Sequence, residues 1–327
     1  MISRCCGFSD GEAAEKLRGH DQPHRGGQDR SRQRNDTPDI TVRRCPAKPA
    51  SRLTAPPGSF ASLPTAMLPP LPSHQQRVVD AVDAVDAMVA AALAHRAVRH
   101  PYLQSLSAGT LPDPVWALAD FARHYEGYSA HFPRYLTALI SRLKNPAHRQ
   151  ALLNNLTEES GVYGEAELEA LQRLDIHPEW INGVPHPALF HRFRLAVAGP
   201  VRADEQEHLE VSCWRDMLLA VISLGSAAEA VGALGLATES IVPTLYQPFL
   251  QAIERIGDLH PRDTVFFPLH TAVDDQHQAT LRQIAIDYAA TESGRLELTM
   301  GMHKALALRD SFWSWLHQRA QQRSAGP

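Results

Sequence analysis

From His270 to His277 the sequence reads HTAVDDQH, which places an imidazole, a carboxylate and a second imidazole at separations of four and three residues. At 3.6 residues per turn these three, His270, Asp274 and His277, fall on one helix face. Two imidazoles and a carboxylate on one stripe are half of a metal site. Imidazole and carboxylate with open positions suit iron that handles dioxygen, whereas a structural zinc would want thiolates. Of four cysteines only Cys213 lies beyond residue 66, so thiolate ligation is excluded. Taken alone, the spacing also fits an ordinary solvated helix face, because His and Asp are common there.

The remaining ligands have to come from other elements. Candidates are Glu158-Glu159 in NNLTEESG, His186 opening HPALFHRF, and Glu239 in GLATESIVP. Glu239 falls in the most apolar part of the chain, where a carboxylate is expensive to bury unless it pairs or coordinates a cation. Leu152, Leu156 and Glu159 share a helix face, which turns Glu159 inward and leaves Glu158 as a solvated neighbour. Tyr102, His124, Tyr125 and Tyr128 lie on or before the second expected helix. They could orient a substrate, although an aromatic at helical spacing more often serves as core.

Helices supply these positions. Apolar residues recur every three or four places, which predicts helices after Ser73, after Leu111-Pro-Asp-Pro114, and at about 146–160, 165–174, 187–198, 204–224, 226–257, 263–290 and 293–322. Pro133 should kink or break the second of them. The best strand-like run, Val265-Phe-Phe267, is too short to count, so an all-α bundle is expected. Met217–Leu236 is long enough to cross a bilayer, but Glu229 and the Gly225-Ser226 break favour two buried helices.

Charge divides the chain. Up to residue 66 there are 11 Lys and Arg against 7 Asp and Glu, and from Met67 onward 21 against 29, giving +4 and −8 within a net −4. The Pro/Gly/Arg-rich residues 1–70 cannot bury enough apolar surface to offset the entropy of ordering, so a disordered extension is expected there and a helical domain over 71–327. The acidic body argues against nucleic-acid binding. No apolar signal core precedes it, and the scarcity of cysteine fits a reducing cytoplasm.

The order Asn155-Leu156-x-x-Glu159, then His186 before an aromatic-containing helix, then Glu239-Ser-x-x-Pro243, then HxxxDxxH at 270–277, resembles the haem-oxygenase-like di-iron oxidases. His100-Pro-Tyr102 and the 131–136 segment HFPRYL match as well. This group of iron-containing redox enzymes includes the chlamydial para-aminobenzoate synthase. It is related in fold to pyrroloquinoline-quinone synthase and thiaminase II. The resemblance spans about residues 75–290 and implies a haem-oxygenase-like bundle with six ligands, Glu159, His186, Glu239, His270, Asp274 and His277, for two Fe(II) ions with O2 as co-substrate.

The segment between Glu159 and His186 is longer than the family pattern, which leaves His177 as the alternative to His186. No lysine stands near Phe249, where the para-aminobenzoate-forming branch has one, so a different product is expected. The implied reaction is oxidation or oxygenation of a small amine, amino acid or carboxylate. Manganese instead of iron, a homodimer and an external electron donor are compatible with this reading. A cofactor-free oxidase of the pyrroloquinoline-quinone synthase type and a non-enzymatic helical binding module are the competing readings.

Overall fold

The computed structural model describes residues 74–200 and 206–323, with residues 273–276 as backbone only. The expected extension over 1–70 therefore lies outside the described residues. Proline organises the first half. Helices α2 (Pro101–Ala108), α3 (Pro114–Ser129), α4 (Phe132–Arg142) and α5 (Pro146–Glu159) follow α1 (His74–Ala94), and each of the four carries proline in its first turn. There the missing N–H costs no hydrogen bond and the fixed φ suits the helix. Side chains cap several of these ends: Asp113 accepts from the Trp116 N–H and Asn145 from the Ala147 N–H. The expected break at Pro133 falls at Ala130-His131, so that the proline opens α4.

Next come α6 (Glu165–Gln172), α7 (Pro178–Ile181), α8 (His186–Ala198) and α9 (Leu209–Leu224). Helix α9 stops at Gly225 and α10 (Ala227–Val231) begins after the Ser226 cap, which accepts from the Glu229 N–H. The apolar stretch 217–236 is thus divided at Gly225, and among the described residues no helix is long and apolar enough to cross a membrane. The single helix expected over 226–257 is not formed. After α10 the chain makes a π turn over Gly232–Leu236 and a 3₁₀ turn over Glu239–Ile241 before α11 (Val242–Ile256). Close packing causes the deviation: Gly232 lies against the backbone of Leu298, and the wider π turn seats the chain there.

The short α12 (Pro261–Thr264) leads into the long helices α13 (Phe266–Ala289) and α14 (Glu292–Gln322). No strand occurs among the described residues. Helix α14 runs along α9, α10 and the π turn, α13 lies on α1 and α11, and α3 packs on α8. Their shared core is aromatic. Phe121 stacks on Phe249 at 4.0 Å between ring centres and Tyr128 on Trp214 at 3.9 Å.

His100 ties the N-terminal helices to α14. Its Nδ1 accepts from the Tyr102 N–H at 3.0 Å, so Nε2–H faces Ser314 Oγ, also at 3.0 Å. Burial, reinforced by Arg96, pulls its pKa down to about 4. In the unfolded chain the ring takes a proton near 6.5, so the unfolded state binds more protons between about 6.5 and 4 and stability falls as pH drops through that window. His100→Asn keeps a capping acceptor but cannot titrate. Urea unfolding at pH 7 and pH 4.5 should show the wild type losing on the order of 2 kcal/mol more than the variant. Equal losses would refute this role.

Candidate metal centre

Three elements bring a carboxylate and two imidazoles together inside the bundle. Glu159 is the last residue of α5, His186 the first of α8, and His270 sits one turn into α13. One ligand atom from each lies within 4.8 Å of the other two. Glu159 and His186 are 2% and 3% exposed, and the His186 ring meets the His270 ring edge-on at 4.7 Å.

The tautomers follow from the partners. His270 Nδ1 is 2.7 Å from the Phe266 carbonyl oxygen, which can only accept, so Nδ1 carries the proton and Nε2 keeps its lone pair. Burial, with His186 beside it, lowers the His270 pKa to about 3 and keeps the ring neutral. His186 Nε2 is 2.6 Å from Tyr163 Oη. Its buried Nδ1 lies 3.1 Å from Glu159 Oε2.

Toward the other side of Glu159 stands His277, whose Nδ1 is 3.9 Å from Glu159 Oε1 and whose Nε2 donates to Glu158 Oε2 at 2.8 Å. Burial alone would raise the Glu159 pKa, yet the His186, His270 and His277 rings outweigh it and hold the carboxyl at about 2. His277 shows the converse. Burial disfavours its charge, but Glu158, Glu239 and Glu159 raise its pKa to about 9. Glu239, on the 3₁₀ turn, is pushed up to about 7 by burial and by the neighbouring Glu159.

A small cavity opens beside these groups, with room for only about 30 Å³ of water-sized occupants. Glu159, His186, Glu239 and His270 reach it, together with Tyr125, Tyr128, Ser129, Thr238, Tyr246 and an apolar remainder of Phe132, Pro187, Val242 and Phe266.

Of the six residues implied as ligands, five converge here: Glu159, His186, Glu239, His270 and His277. The Asp274 side chain, like that of Asp275, lies outside the described residues. His177 is elsewhere, half exposed beside Glu179 and Trp180. Glu158 is not merely solvated, because it accepts from His277. Among the aromatic candidates, Tyr128 and Tyr125 line the cavity. Tyr102 does not: its hydroxyl donates to the Ala117 carbonyl and its ring stacks on Trp313. His124 turns to Asp120, 3.2 Å away, and packs against His208 and Trp315. Sequence reasoning missed Tyr163, which lies in the segment where the family pattern is interrupted, and missed the buried Arg309 behind the tyrosines.

A helical bundle with a buried carboxylate and imidazole cluster, each ring engaged by a second partner, carries a ligand set that could hold a metal ion. The sequence profile of the haem-oxygenase-like family described as iron-containing redox enzymes matches residues 119–310, and this chain belongs to that family. All the cluster residues fall within the match. No curated protein matches the sequence. Among solved structures, the chain is similar to a CADD-like protein of unknown function from Nostoc punctiforme (TM-score 0.54, 17% identity, 74% of this chain and 99% of that one). It is also similar to a domain of unknown function with a haem oxygenase-like fold from Shewanella denitrificans (TM-score 0.54, 15% identity, 75% and 94% covered). These likenesses establish the haem oxygenase-like fold.

Proposed function

We propose that this chain is a non-haem iron oxidase or oxygenase that uses O2 on a small organic substrate. Glu159, His186 and His270 would hold one iron. Glu239, His277 and Asp274 would hold a second, with Glu159 standing between the two sets. The observation that carries this reading is the cluster of Glu159, His186 and His270, one ligand atom of each lying within 4.8 Å of the other two, with Glu159 and His186 buried. Ferrous ions would supply the electrons that activate O2.

The chain's own residues do the rest. Phe266, Tyr163 and Glu158 each engage one nitrogen of an imidazole, so that His270, His186 and His277 present the other nitrogen to the interior in a fixed orientation. His277, a cation while its carboxylate neighbours hold it so, has to give up its Nδ1 proton to bind a metal. Glu239, poised near neutrality, can hold or release a proton at the cavity wall. Phe132, Val242 and Phe266 keep the space apolar and limit water around a reactive intermediate.

Reconstitution with Fe(II) under anaerobic conditions should load about two irons per chain, as paired carboxylate and histidine ligands do in di-iron bundles. Admission of O2 should then produce a transient visible absorption. Less than half an iron per chain, with no O2-dependent colour, would overturn the reading.

A further inference from the structure

Large apolar side chains stand in the open on two neighbouring helices: Leu209, Met217 and Leu224 of α9, 76%, 55% and 83% exposed, and Leu296 and Met300 of α14, 66% and 46% exposed. At 100° per residue Leu209, Cys213, Met217, Ala220 and Leu224 fall within about 80° of one another around α9, and no charged residue of that helix falls inside the arc. From Leu296 to Ser311 the matching arc of α14 holds Leu296, Met300, Lys304, Ala307 and Ser311. Its one charge, Lys304, already pairs with Glu229 of the same chain. Both stripes keep the three- and four-residue spacing with which one helix seats itself on another.

The two helices run antiparallel. Trp214 packs on Phe312 at 4.5 Å between ring centres toward one end, and Ser226, just beyond α9, donates to Glu297 at 2.7 Å toward the other. Between them lie two adjoining hollows of about 480 and 470 Å³, with Met217, Leu308 and Ser311 lining both, wide enough to take side chains from outside. The stripes together make a face about 30 Å long and, at two helix diameters, about 20 Å wide. Its side chains expose more than that flat outline of about 600 Å², which brings it into the range of the roughly 800 Å² that each partner contributes to a stable interface. A contiguous apolar patch of this extent marks an interaction site.

We propose that this face is the two-fold interface of a homodimer. An antiparallel helix pair shows the same outline from either end, so a two-fold axis lays one pair on another as a four-helix bundle, and each apolar stripe meets an apolar stripe. Charge agrees with a second copy as the occupant. The stripes hold no unpaired charge, so a second copy brings none against them, whereas a strongly acidic or basic partner would find nothing to pair with. Glu210 and Asp216, exposed at the two edges of the α9 stripe, supply a polar rim. The proposal goes beyond the iron reading and does not rest on it, since none of the clustered ligands lies on α9 or α14.

The test is sedimentation of the full chain over a range of concentrations, with iron counted in each sample. At about 20 µM the chain should sediment as a dimer, since an interface of this size holds with a Kd of about 1 µM or tighter, and dilution should release monomer. Met217→Glu places a carboxylate in the middle of the stripe without entering the core, and should weaken the dimer about 100-fold or more. Leu174→Glu, at a site 59% exposed elsewhere on the surface, should leave it intact. Cys213 reports on the same face in the wild type and carries the test if Met217→Glu does not fold. This exposed free thiol should react with iodoacetamide about 5-fold more slowly at the dimer concentration than in dilute monomer, as read by mass spectrometry of its peptide. A monomer at every concentration would overturn the proposal. So would a dimer that Met217→Glu leaves unweakened, or one in which Cys213 reacts equally fast at both concentrations, since the copies would then meet elsewhere. A dimer that passes these tests yet takes up no iron would leave the interface standing and defeat only the iron reading.

Discussion

Glu159→Gln should lower iron loading about tenfold or more if this carboxylate is the ligand proposed. The substitution preserves shape and volume but removes the charge on which three imidazoles converge, with oxygens 3.1 Å from His186 Nδ1 and 3.9 Å from His277 Nδ1. A pKa held at about 2 means that this carboxylate is ionised at any pH at which iron could be loaded. No other described carboxylate joins His186 and His270, so nothing can take its place. Iron measured after anaerobic loading should fall about tenfold or more, a range expected for losing the strongest anionic ligand. Far-ultraviolet circular dichroism should stay helical, because α5 ends at this residue and does not depend on its charge. Glu158→Gln provides the comparison. It loosens only the outer nitrogen of His277, and changes to such outer partners typically cost about 10- to 100-fold in affinity. A saturating iron concentration should therefore restore full loading in Glu158→Gln and not in Glu159→Gln. Full iron content in the latter would sink the assignment of Glu159.

The second large effect is on folding. Where α14 crosses α10 and the π turn, the two backbones touch through a pair of glycines. A Cβ at Gly301 would overlap the Glu229 carbonyl, and one at Gly232 would overlap the Leu298 carbonyl. Because the obstacle in each case is main chain, no rotamer change relieves it and the helices have to move apart. Overpacking against rigid neighbours costs on the order of 3 kcal/mol, so Gly301→Ala should lower the melting temperature by roughly 10 °C in a body of this size. Gly164→Ala is the control, since it has open space around it and an ordinary φ of −71°. Equal melting temperatures for Gly301→Ala and the wild type would mean that the contact is not made in solution.

Much of this arrangement is legible in the residues themselves. Prolines in first turns mark where helices begin, and the four-plus-three spacing puts His270 and His277 on one stripe whatever surrounds them. The choice of Glu159 over Glu158 as the inward residue also follows from helical geometry. That geometry fails for Glu158 in another way, because a partly exposed side chain at a helix end can still reach across to an imidazole on a different helix. The break between Val231 and Val242 is invisible for a similar reason. Ala, Gly and Leu read as continuous helix, and only the approach of α14 to Gly232 explains the π turn. Periodicity also cannot say which aromatic faces a cavity. Tyr102 spends its hydroxyl on a carbonyl fifteen residues away, and the pairing of His124 with Asp120 is local. Arg309 on an amphipathic helix looks like a solvated charge until its burial is known.

Helix α14 meets the rest of the molecule at widely spaced points. Gly301 touches the Glu229 backbone and Lys304 pairs with the Glu229 carboxylate at 2.5 Å. Arg309 stands behind Tyr128, and Trp313 lies nearly parallel to Tyr125 at 6.0 Å. Arg319 grips both oxygens of Asp120 at 2.8 and 2.9 Å. Each residue of an α-helix adds about 1.5 Å and 100°. Loss of one residue between Gly301 and Arg309 would swing the guanidinium by that full angle, away from the phenols, even with every side chain retained. What these contacts require of the helix is therefore a count as much as an identity: the number of residues between Gly301 and Arg319 sets the register of every contact along it.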